Sequence, residues 1–190
     1  MNKSPPAVYY GEDMETQLIV LAQRGNRDAF GELVNLYGRR IYYAAYAFLH
    51  NVDDASDIVQ EVFLRAFKNL NTFDTSRALY PWLYRITKNL CINAVQRASR
   101  RDMTLPPEEI IAGKGRDPEA EAVRNEEAAQ LQKAIALLPE KHREIIRLKH
   151  FQECSYAEIA EILDIPIGTV MSRLYAARGK LKESIVEVST

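Results

Sequence analysis

Two stretches of this 190-residue chain concentrate cationic side chains of the kind that bind nucleic acid. Four Lys or Arg and no acid lie between Gly168 and Lys182, and six Lys or Arg and no acid lie between Arg77 and Arg101. Guanidinium and ammonium groups neutralise backbone phosphates, while polar side chains between them can reach base edges. The alternative for either stretch is an ordinary solvated helix face whose charges maintain solubility.

Residue groupings typical of catalysis or metal binding do not occur in the sequence. Cys91 and Cys154 are far apart and each stands alone, which is neither a disulfide framework nor a zinc motif and favours buried free thiols. His142 and His150 are eight residues apart, too far for a paired ligand site on one helix, and they form no cluster with His50. A glycine-rich phosphate loop is also missing. We therefore expect no enzymatic activity, no cofactor and no metal.

The composition is that of a globular chain, with 47% hydrophobic and 27% charged residues. The net charge of −1 conceals a segregation, because residues 102–130 carry eight acids against three bases and separate the two basic stretches. No apolar run approaches the roughly 18 residues of a membrane span. The N-terminal MNKSPPAVYYGED lacks the apolar core of a signal peptide. A cytoplasmic location is the resulting expectation.

Apolar residues recur at helical spacing along nearly the whole chain, without an alternating strand pattern or a repeat. The pattern predicts an all-α fold of two small helical domains joined by a flexible acidic linker, the C-terminal domain being a helix-turn-helix. We place an N-terminal tail at 1–12, the first domain at 13–98, the linker at 99–125 and the second domain at 126–190. Segments rich in Pro, Gly and acids, such as TLPPEE and AGKG, mark the linker.

The first domain contains the amphipathic segment NVDDASDIVQEVFLRAFKNL. Asp53 or Asp54 is expected to cap this helix at its N-terminus. Its inward residues are predicted to be Ile58, Val62, Phe63, Ala66, Phe67 and Leu70. A loop, NTFDTSRAL, then leads to the basic helix YPWLYRITKNLCINAVQRASRR, which tolerates Pro81 because that residue lies in its first turn.

The second domain ends in the pattern of a helix-turn-helix. Ser155 followed by Glu158 predicts a capping box at the start of a short helix. A turn of about four residues separates that helix from the last, basic one. The inward residues of the first helix of this domain are predicted to be Ala128, Leu131, Ile135 and Leu138. Those of the last helix are predicted to be Val170, Leu174, Ala177 and Leu181.

The remaining residues of the last helix are those that a DNA groove would meet. The outward positions are Ser172, Tyr175, Ala176, Gly179 and Lys182. Arg173 and Lys180 line one flank, and Met171 and Arg178 line the other. If this helix enters a major groove, the outward side chains of its first half face base edges and the flanking cations lie near phosphates.

Several segments together resemble the extracytoplasmic-function (ECF) sigma factors of bacteria, from about Met14 to Ile185. DDASDIVQEVFLRAFKNLNTFD and YPWLYRITKNLCINAVQR are similar to the N-terminal domain of that family, and LPEKHREIIRLKHFQECSYAEIAEILDIPIGTVMSRLYAARGKL resembles its promoter-binding C-terminal domain. The resemblance implies a protein that binds core RNA polymerase, directs it to promoters and helps to melt the −10 element. Such melting needs neither hydrolysis nor a cofactor.

The resemblance also implies three sets of site residues. The set implied to dock on the polymerase is Asp57, Gln60, Glu61, Val62 and Phe63. The set implied for the −10 element is Thr75, Ser76, Arg77, Trp82, Arg85, Lys88, Asn89, Asn93 and Arg97. The set implied for the −35 element is Thr169, Ser172, Arg173, Tyr175, Arg178, Lys180 and Lys182.

Structural roles remain alternatives for several of these residues. Val62, Phe63 and Trp82 are apolar enough to be core residues. Thr75 and Ser76 would suit a plain surface turn as well as a pocket for an extruded base. The acidic linker fits either a mimic of RNA along the polymerase exit path or a solvated tether.

The partners implied by the resemblance are the β′ clamp helices and β flap of core RNA polymerase, promoter DNA and an anti-sigma factor. An anti-sigma factor, often membrane-anchored in this family, would hold the chain at the membrane without inserting it. A stand-alone helix-turn-helix repressor is the first rival, but it leaves DIVQEVFLRAF and the WLYR helix without a role. An all-helical enzyme is the second, and it lacks a catalytic constellation. Met171 and Ala176 depart from the family, since many members carry Lys or Arg there.

Overall fold

The structure, a computed structural model, describes residues 12–101 and 130–188, with side chains described over 14–97 and 130–185. It divides into two compact units, Met1–Arg100 and Arg101–Thr190. Every regular element in the described ranges is a helix, which confirms the predicted all-α fold. Most of the predicted linker, 102–125, lies outside the described residues, while its first three residues, 99–101, continue a helix.

Between residues 12 and 101, the described part of unit 1 consists of four α-helices and one short 3-10 turn. The α-helices are α1 (Glu12–Gln23), α2 (Arg27–Leu49), α3 (Val52–Asn69) and α4 (Leu79–Arg101). The 3-10 turn, Leu70–Thr72, directly follows α3. Gly25, with φ of +90°, makes the tight exit from α1 that a residue with a Cβ resists. Asn26 then caps α2 by accepting a hydrogen bond from the amide of Ala29 at 3.0 Å.

The start of α3 differs from the prediction. Asn51, not Asp53 or Asp54, is the N-cap, and its side-chain oxygen accepts hydrogen bonds from the amides of Asp53 at 2.9 Å and Asp54 at 3.0 Å. Asp53 and Asp54 are therefore first-turn residues, whose negative charges still favour the positive end of the helix dipole.

The core of unit 1 lies among α1, α2, α3 and α4. Its apolar residues include Leu33, Ile41, Val62, Phe63, Ala66, Tyr80 and Leu83. Phe67, predicted to be inward, is 46% exposed because it lies at the edge of this core. Its ring packs edge-on against Phe30 of α2, at a centroid distance of 5.0 Å, which leaves its other face outside.

Unit 2 has four described α-helices: α5 (described over 130–137), α6 (Glu140–Ile146), α7 (Tyr156–Leu163) and α8 (Ile167–Val188). A π-helical turn, Arg147–Phe151, extends α6. Ile135 of α5 and Leu138, which directly follows that helix, are buried as predicted. Leu131 is 37% exposed, whereas Ala134, which was not predicted, is fully buried. Ala128 lies outside the described residues.

The helix-turn-helix of α7 and α8 forms as predicted. Ser155 and Glu158 make the capping box, with the amide of Glu158 donating to Ser155 Oγ and the amide of Ser155 donating to the Glu158 carboxylate. Asp164, at φ of 52°, ends α7 in the left-handed conformation. The inward residues of α8 are Val170, Leu174 and Ala177, all buried, whereas Leu181 is only half-buried.

Asn51→Ala should lower the free energy of unfolding by about 1 kcal/mol, because two helix-terminal amides lose their acceptor. Asp53→Ala is the matched control and should cost less than half as much, since it removes only a dipole interaction. Chemical denaturation followed by circular dichroism measures both. If Asp53→Ala were the more costly change, the assignment of the cap to Asn51 would be contradicted.

Candidate functional site

The first half of α8 presents a surface without charged side chains at its outermost positions. Tyr175 is 84% exposed and Met171 52% exposed, and Ser172 and Ala176 lie beside them. The hydroxyl of Ser172 donates to the carbonyl oxygen of Thr169 at 3.2 Å. Its donor is thus used within the helix, and its two lone pairs remain to accept hydrogen bonds from a ligand.

Cations border this surface along the rest of α8. Arg178, Lys180 and Lys182 are exposed, and Arg173 is half-buried. The five outward positions predicted for this helix, including Gly179, are all exposed, which confirms the orientation of the helix. In the first half of α8, a neutral exposed face with cations further along the helix fits a duplex groove that lies between two phosphate strands.

Burial and nearby cations lower the pKa of two histidines in unit 2. Burial lowers the pKa of His142, and the cations Lys180 and Arg173 lower it further. Burial likewise lowers the pKa of His150, with Arg178 and Lys149 adding to the shift. Both imidazoles are therefore biased toward the neutral form at neutral pH, so neither adds to the positive charge of the surface.

The loop between the 3-10 turn and α4 is ordered by its own side chains. Asp74 accepts hydrogen bonds from the amide of Ser76 at 3.0 Å and from its hydroxyl at 2.7 Å. These bonds lower the pKa of the Asp74 carboxyl, with a smaller contribution from Arg77. Ser76 and Arg77 are exposed and Thr75 is half-buried, so the turn presents a short polar surface. Sequence analysis did not foresee Asp74 as the residue that organises this loop.

Trp82 lies beside the same loop at the start of α4. It is half-buried, and its ring packs against buried Phe73 at a centroid distance of 5.2 Å. The structure thus places Trp82 at the edge of the core rather than within it. One part of this indole is packed against Phe73 and the rest remains accessible.

Beyond Trp82, α4 carries a polar stripe with a spacing of four residues. Its members, Arg85, Asn89, Asn93 and Arg97, are all exposed. Lys88 is half-buried next to this stripe. The guanidinium of Arg97 reaches back to the carbonyl oxygen of Asn93 at 3.2 Å. Residues four apart share a helix face, so α4 offers one continuous row of hydrogen-bond donors without an acid.

The outer face of α3 forms a separate, mixed surface. Asp57 and Gln60 are exposed, and Glu61 is half-exposed in an ion pair with Arg65 at 2.7 Å. Leu64 is 55% exposed on the same face. Sequence analysis missed Leu64, although a signal existed: it is an apolar residue out of phase with the core stripe of α3.

Val62 and Phe63 were predicted for the same surface, and their burial corrects that assignment. Val62 is 0% exposed and Phe63 7% exposed. They face inward, where the ring of Phe63 packs edge-on against Phe30 at a centroid distance of 6.3 Å. They support the outer face of α3 from below and offer no side chain to a partner.

Other site chemistry can be judged only for the residues that the structure describes. Among them, no His, Cys, Asp or Glu cluster could hold a metal ion. None of their helices has the length and apolar character needed to cross a membrane. Cys91 and Cys154 are buried free thiols, as predicted, and burial raises the pKa of Cys91 to about 11. A thiol so rarely ionised is a packing residue.

Comparison with protein families matches both units. The sequence model described as Sigma-70 region 2 matches residues 33–101, and the one described as Sigma-70, region 4 matches residues 128–181. The chain is 38% identical to the ECF RNA polymerase sigma factor SigW of Bacillus subtilis, over 92% of this chain and 98% of that protein. It is 33% identical to the RNA polymerase sigma-H factor of Pseudomonas aeruginosa, over 92% and 95% of the two chains.

Solved structures agree with these matches. The structure of CnrH in complex with the cytosolic domain of CnrY superposes with a TM-score of 0.66, at 28% identity, over 94% of this chain and all of that one. The sigma factor RpoE of Bartonella quintana, solved with the anti-sigma factor NepR, has the same fold, with a TM-score of 0.62 at 24% identity over 85% and 98%. The protein is a sigma factor of the sigma-70 family. Within that family of transcription initiation factors it belongs to the ECF sigma factors.

His142 and His150 should titrate below the ordinary imidazole pKa of 6.5 in NMR spectra of the full chain. Because the unfolded chain then binds protons at higher pH than the folded one, the stability of unit 2 should fall as the pH drops through about 6.5. Lys180→Gln should raise the pKa of His142, while Lys182→Gln should leave it unchanged. Equal shifts of the His142 pKa in the two variants would contradict the proximity of Lys180 to His142.

Proposed function

We propose that this chain binds core RNA polymerase, recognises the −35 and −10 elements of promoters and helps to melt DNA for initiation. The observation that supports the proposal most strongly is the pairing of two acid-free helical surfaces, on α8 and on α4, in separate units of one ECF sigma chain. A stand-alone repressor needs only the helix-turn-helix, so the surface of α4 and its loop separates the two functions.

The division of labour follows the predicted domains. Residues 13–98 engage the polymerase and the −10 element, residues 126–190 engage the −35 element, and residues 99–125 connect them. The −10 surface comprises Thr75, Ser76 and Arg77 of the loop together with Trp82 and the α4 stripe. A separated DNA strand exposes base faces and Watson–Crick edges that a duplex hides. Capturing them supplies the free energy of melting, so no cofactor takes part.

The outer face of α3 is the proposed docking surface for the β′ clamp helices. Asp57, Gln60 and Glu61 offer polar contacts around Leu64, whose exposed side chain suits the apolar centre of an interface. Unit 2 would meet the β flap. Both contacts belong to the same proposal, since recognition of two promoter elements requires the polymerase to hold the two units at a set spacing.

Regulation by an anti-sigma factor is part of the proposed function. CnrH and RpoE of Bartonella quintana were each solved with a partner, which for RpoE is named as an anti-sigma factor. By analogy, such a partner would sequester this chain in the cytoplasm or hold it at the membrane until a stress or envelope signal releases it. The chain itself would remain outside the bilayer.

The −35 contact has an unusual chemistry in this chain. Thr169, Ser172 and Tyr175 supply only neutral groups, and the exposed positions in the first half of α8 carry no Arg or Lys that could bind guanine in a bidentate manner. Arg173 lies in the same half but is half-buried. Met171 and the Tyr175 ring instead offer apolar contact of the kind that thymine methyl groups accept. Arg173, Arg178, Lys180 and Lys182 are left for phosphates. Without cations at Met171 and Ala176, the log–log salt dependence should be flatter by about one unit per missing phosphate contact.

Transcription in vitro with core polymerase and a genomic fragment library tests the function. We expect promoter-specific transcripts from the wild-type chain. Asp57→Arg should reduce affinity for core by about tenfold, because it reverses a charge at the docking surface. Glu32→Arg, a reversal at an exposed residue of α2, is the matched control and should initiate normally. Folded protein that formed no complex with active core would contradict the function and favour a repressor.

Replacing −35 thymines with deoxyuridine, which lacks the methyl group, tests the apolar readout. When the replaced thymine is one that α8 contacts, the wild-type holoenzyme should bind about fourfold more weakly, which is the equivalent of one buried methyl group. Met171→Ala should abolish this difference, whereas Ile185→Ala, which truncates an exposed residue at the far end of α8, should preserve it. Indifference of the wild type to every such replacement would rule out methyl recognition.

A further inference from the structure

One side chain of α1 holds the backbone from which the −10 loop departs. The amide nitrogen of Gln23 donates to the carbonyl oxygen of Leu70 at 2.9 Å and to that of Phe73 at 2.8 Å. Both bonds are partly buried and join residues 47 and 50 positions apart in the sequence. Leu70 begins the 3-10 turn and Phe73 follows it, so a single amide grips both ends of this turn.

The chemistry of this position requires a donor with two hydrogens. The carbonyl oxygen of Leu70 already accepts a hydrogen bond from the backbone amide of Phe73 at 3.0 Å, and the side-chain amide of Gln23 adds a second bond to it. The same side-chain amide donates to the carbonyl oxygen of Phe73, and burial makes each unmade bond costly. A carboxylate cannot donate and an aliphatic side chain cannot donate either. Leu70 and Phe73 are buried, at 2% and 9% exposure, so the gripped segment is fixed from both its side chains and its backbone.

The backbone segment that Gln23 holds leads directly into the proposed DNA-binding loop. The carbonyl held by Gln23 belongs to Phe73, whose ring packs against Trp82, and the next residue is Asp74, which organises the turn that presents Ser76 and Arg77. Moving the Phe73 carbonyl would therefore shift the loop and the indole together. α1 precedes the residues matched by the region 2 family model, which begins at residue 33.

We propose that Gln23 is a positioning residue for −10 recognition, acting through the backbone of Leu70 and Phe73 on the 74–77 loop and Trp82. This inference rests on the proposed function of that loop. A helix outside the matched region thus contributes to promoter opening, although none of its side chains needs to touch DNA. Binding of a base in a pocket depends on placement within fractions of an ångström, so loss of the grip affects discrimination between bases before it affects folding.

The test uses holoenzyme assembled from the full chain and core polymerase. Its probes are a fluorescent single-stranded oligonucleotide with the non-template −10 sequence of a promoter mapped for this protein, and the same strand with one −10 base changed. Gln23→Met keeps the length of the side chain and removes both donors. Gln23→Lys keeps hydrogen-bond donors at the end of the side chain. Gln17→Met is the matched control, because it replaces an exposed glutamine of α1 by methionine. Affinities for core and for the −35 duplex are measured alongside.

For Gln23→Met we expect about tenfold weaker binding of the matched strand and a smaller difference between the two strands, with unchanged affinity for core and for the −35 duplex. Gln23→Lys and Gln17→Met should discriminate like the wild type. Equal behaviour of Gln23→Met and Gln17→Met would overturn the inference, as would a parallel loss of core affinity, which indicates a merely structural role. Should Gln23→Met not fold, a folded Gln23→Lys without discrimination would overturn it too. A wild-type holoenzyme that ignores the −10 strand would instead overturn the proposed function.

Discussion

The packing of Tyr80 beneath α2 anchors the part of unit 1 that carries the proposed −10 surface. Tyr80 is fully buried, its ring stacks with Tyr37 at a centroid distance of 6.0 Å, and the guanidinium of Arg40 lies 3.5 Å from the ring centroid. An aromatic ring held on one side by another ring and approached by a cation has few alternative positions. The first turn of α4 is therefore fixed in the core. The packing of Tyr80 therefore fixes the orientation of Trp82, two residues later, and of the polar stripe beyond it.

Opening DNA by binding requires such fixed surfaces. The binding free energy must exceed the cost of unstacking and unpairing bases, and each disordered side chain would subtract from it. The internal bonds of Asp74 and the grip of Gln23 reduce that loss for the loop. In the proposed −35 contact, the neutral outward side chains of α8 recognise DNA through shape and apolar contact more than through charge. The proposal therefore predicts weak binding by unit 2 alone and promoter recognition that depends on the polymerase joining both contacts.

Local patterns were sufficient for much of this architecture. The inward stripe of α8 and the capping box at Ser155 follow from rules that act within a few residues. The errors have tertiary causes. Whether Leu131 or Ala134 enters the core depends on the room left by neighbouring helices, and Phe67 is exposed because Phe30 covers only one of its faces. Gln23 could not be found by spacing, because its partners lie 47 and 50 residues away and are backbone atoms.

The central claim is that unit 1 captures unpaired −10 bases on the loop and on α4. Fluorescence of 2-aminopurine placed in the non-template −10 element of a promoter duplex, recorded as holoenzyme binds without nucleotides, measures this most directly. The account predicts a rise in fluorescence with the wild-type chain and little rise when Arg85→Gln and Asn89→Ala are combined, although the variant still binds core. A stable promoter complex of the wild-type holoenzyme in which the fluorescence does not change would contradict it.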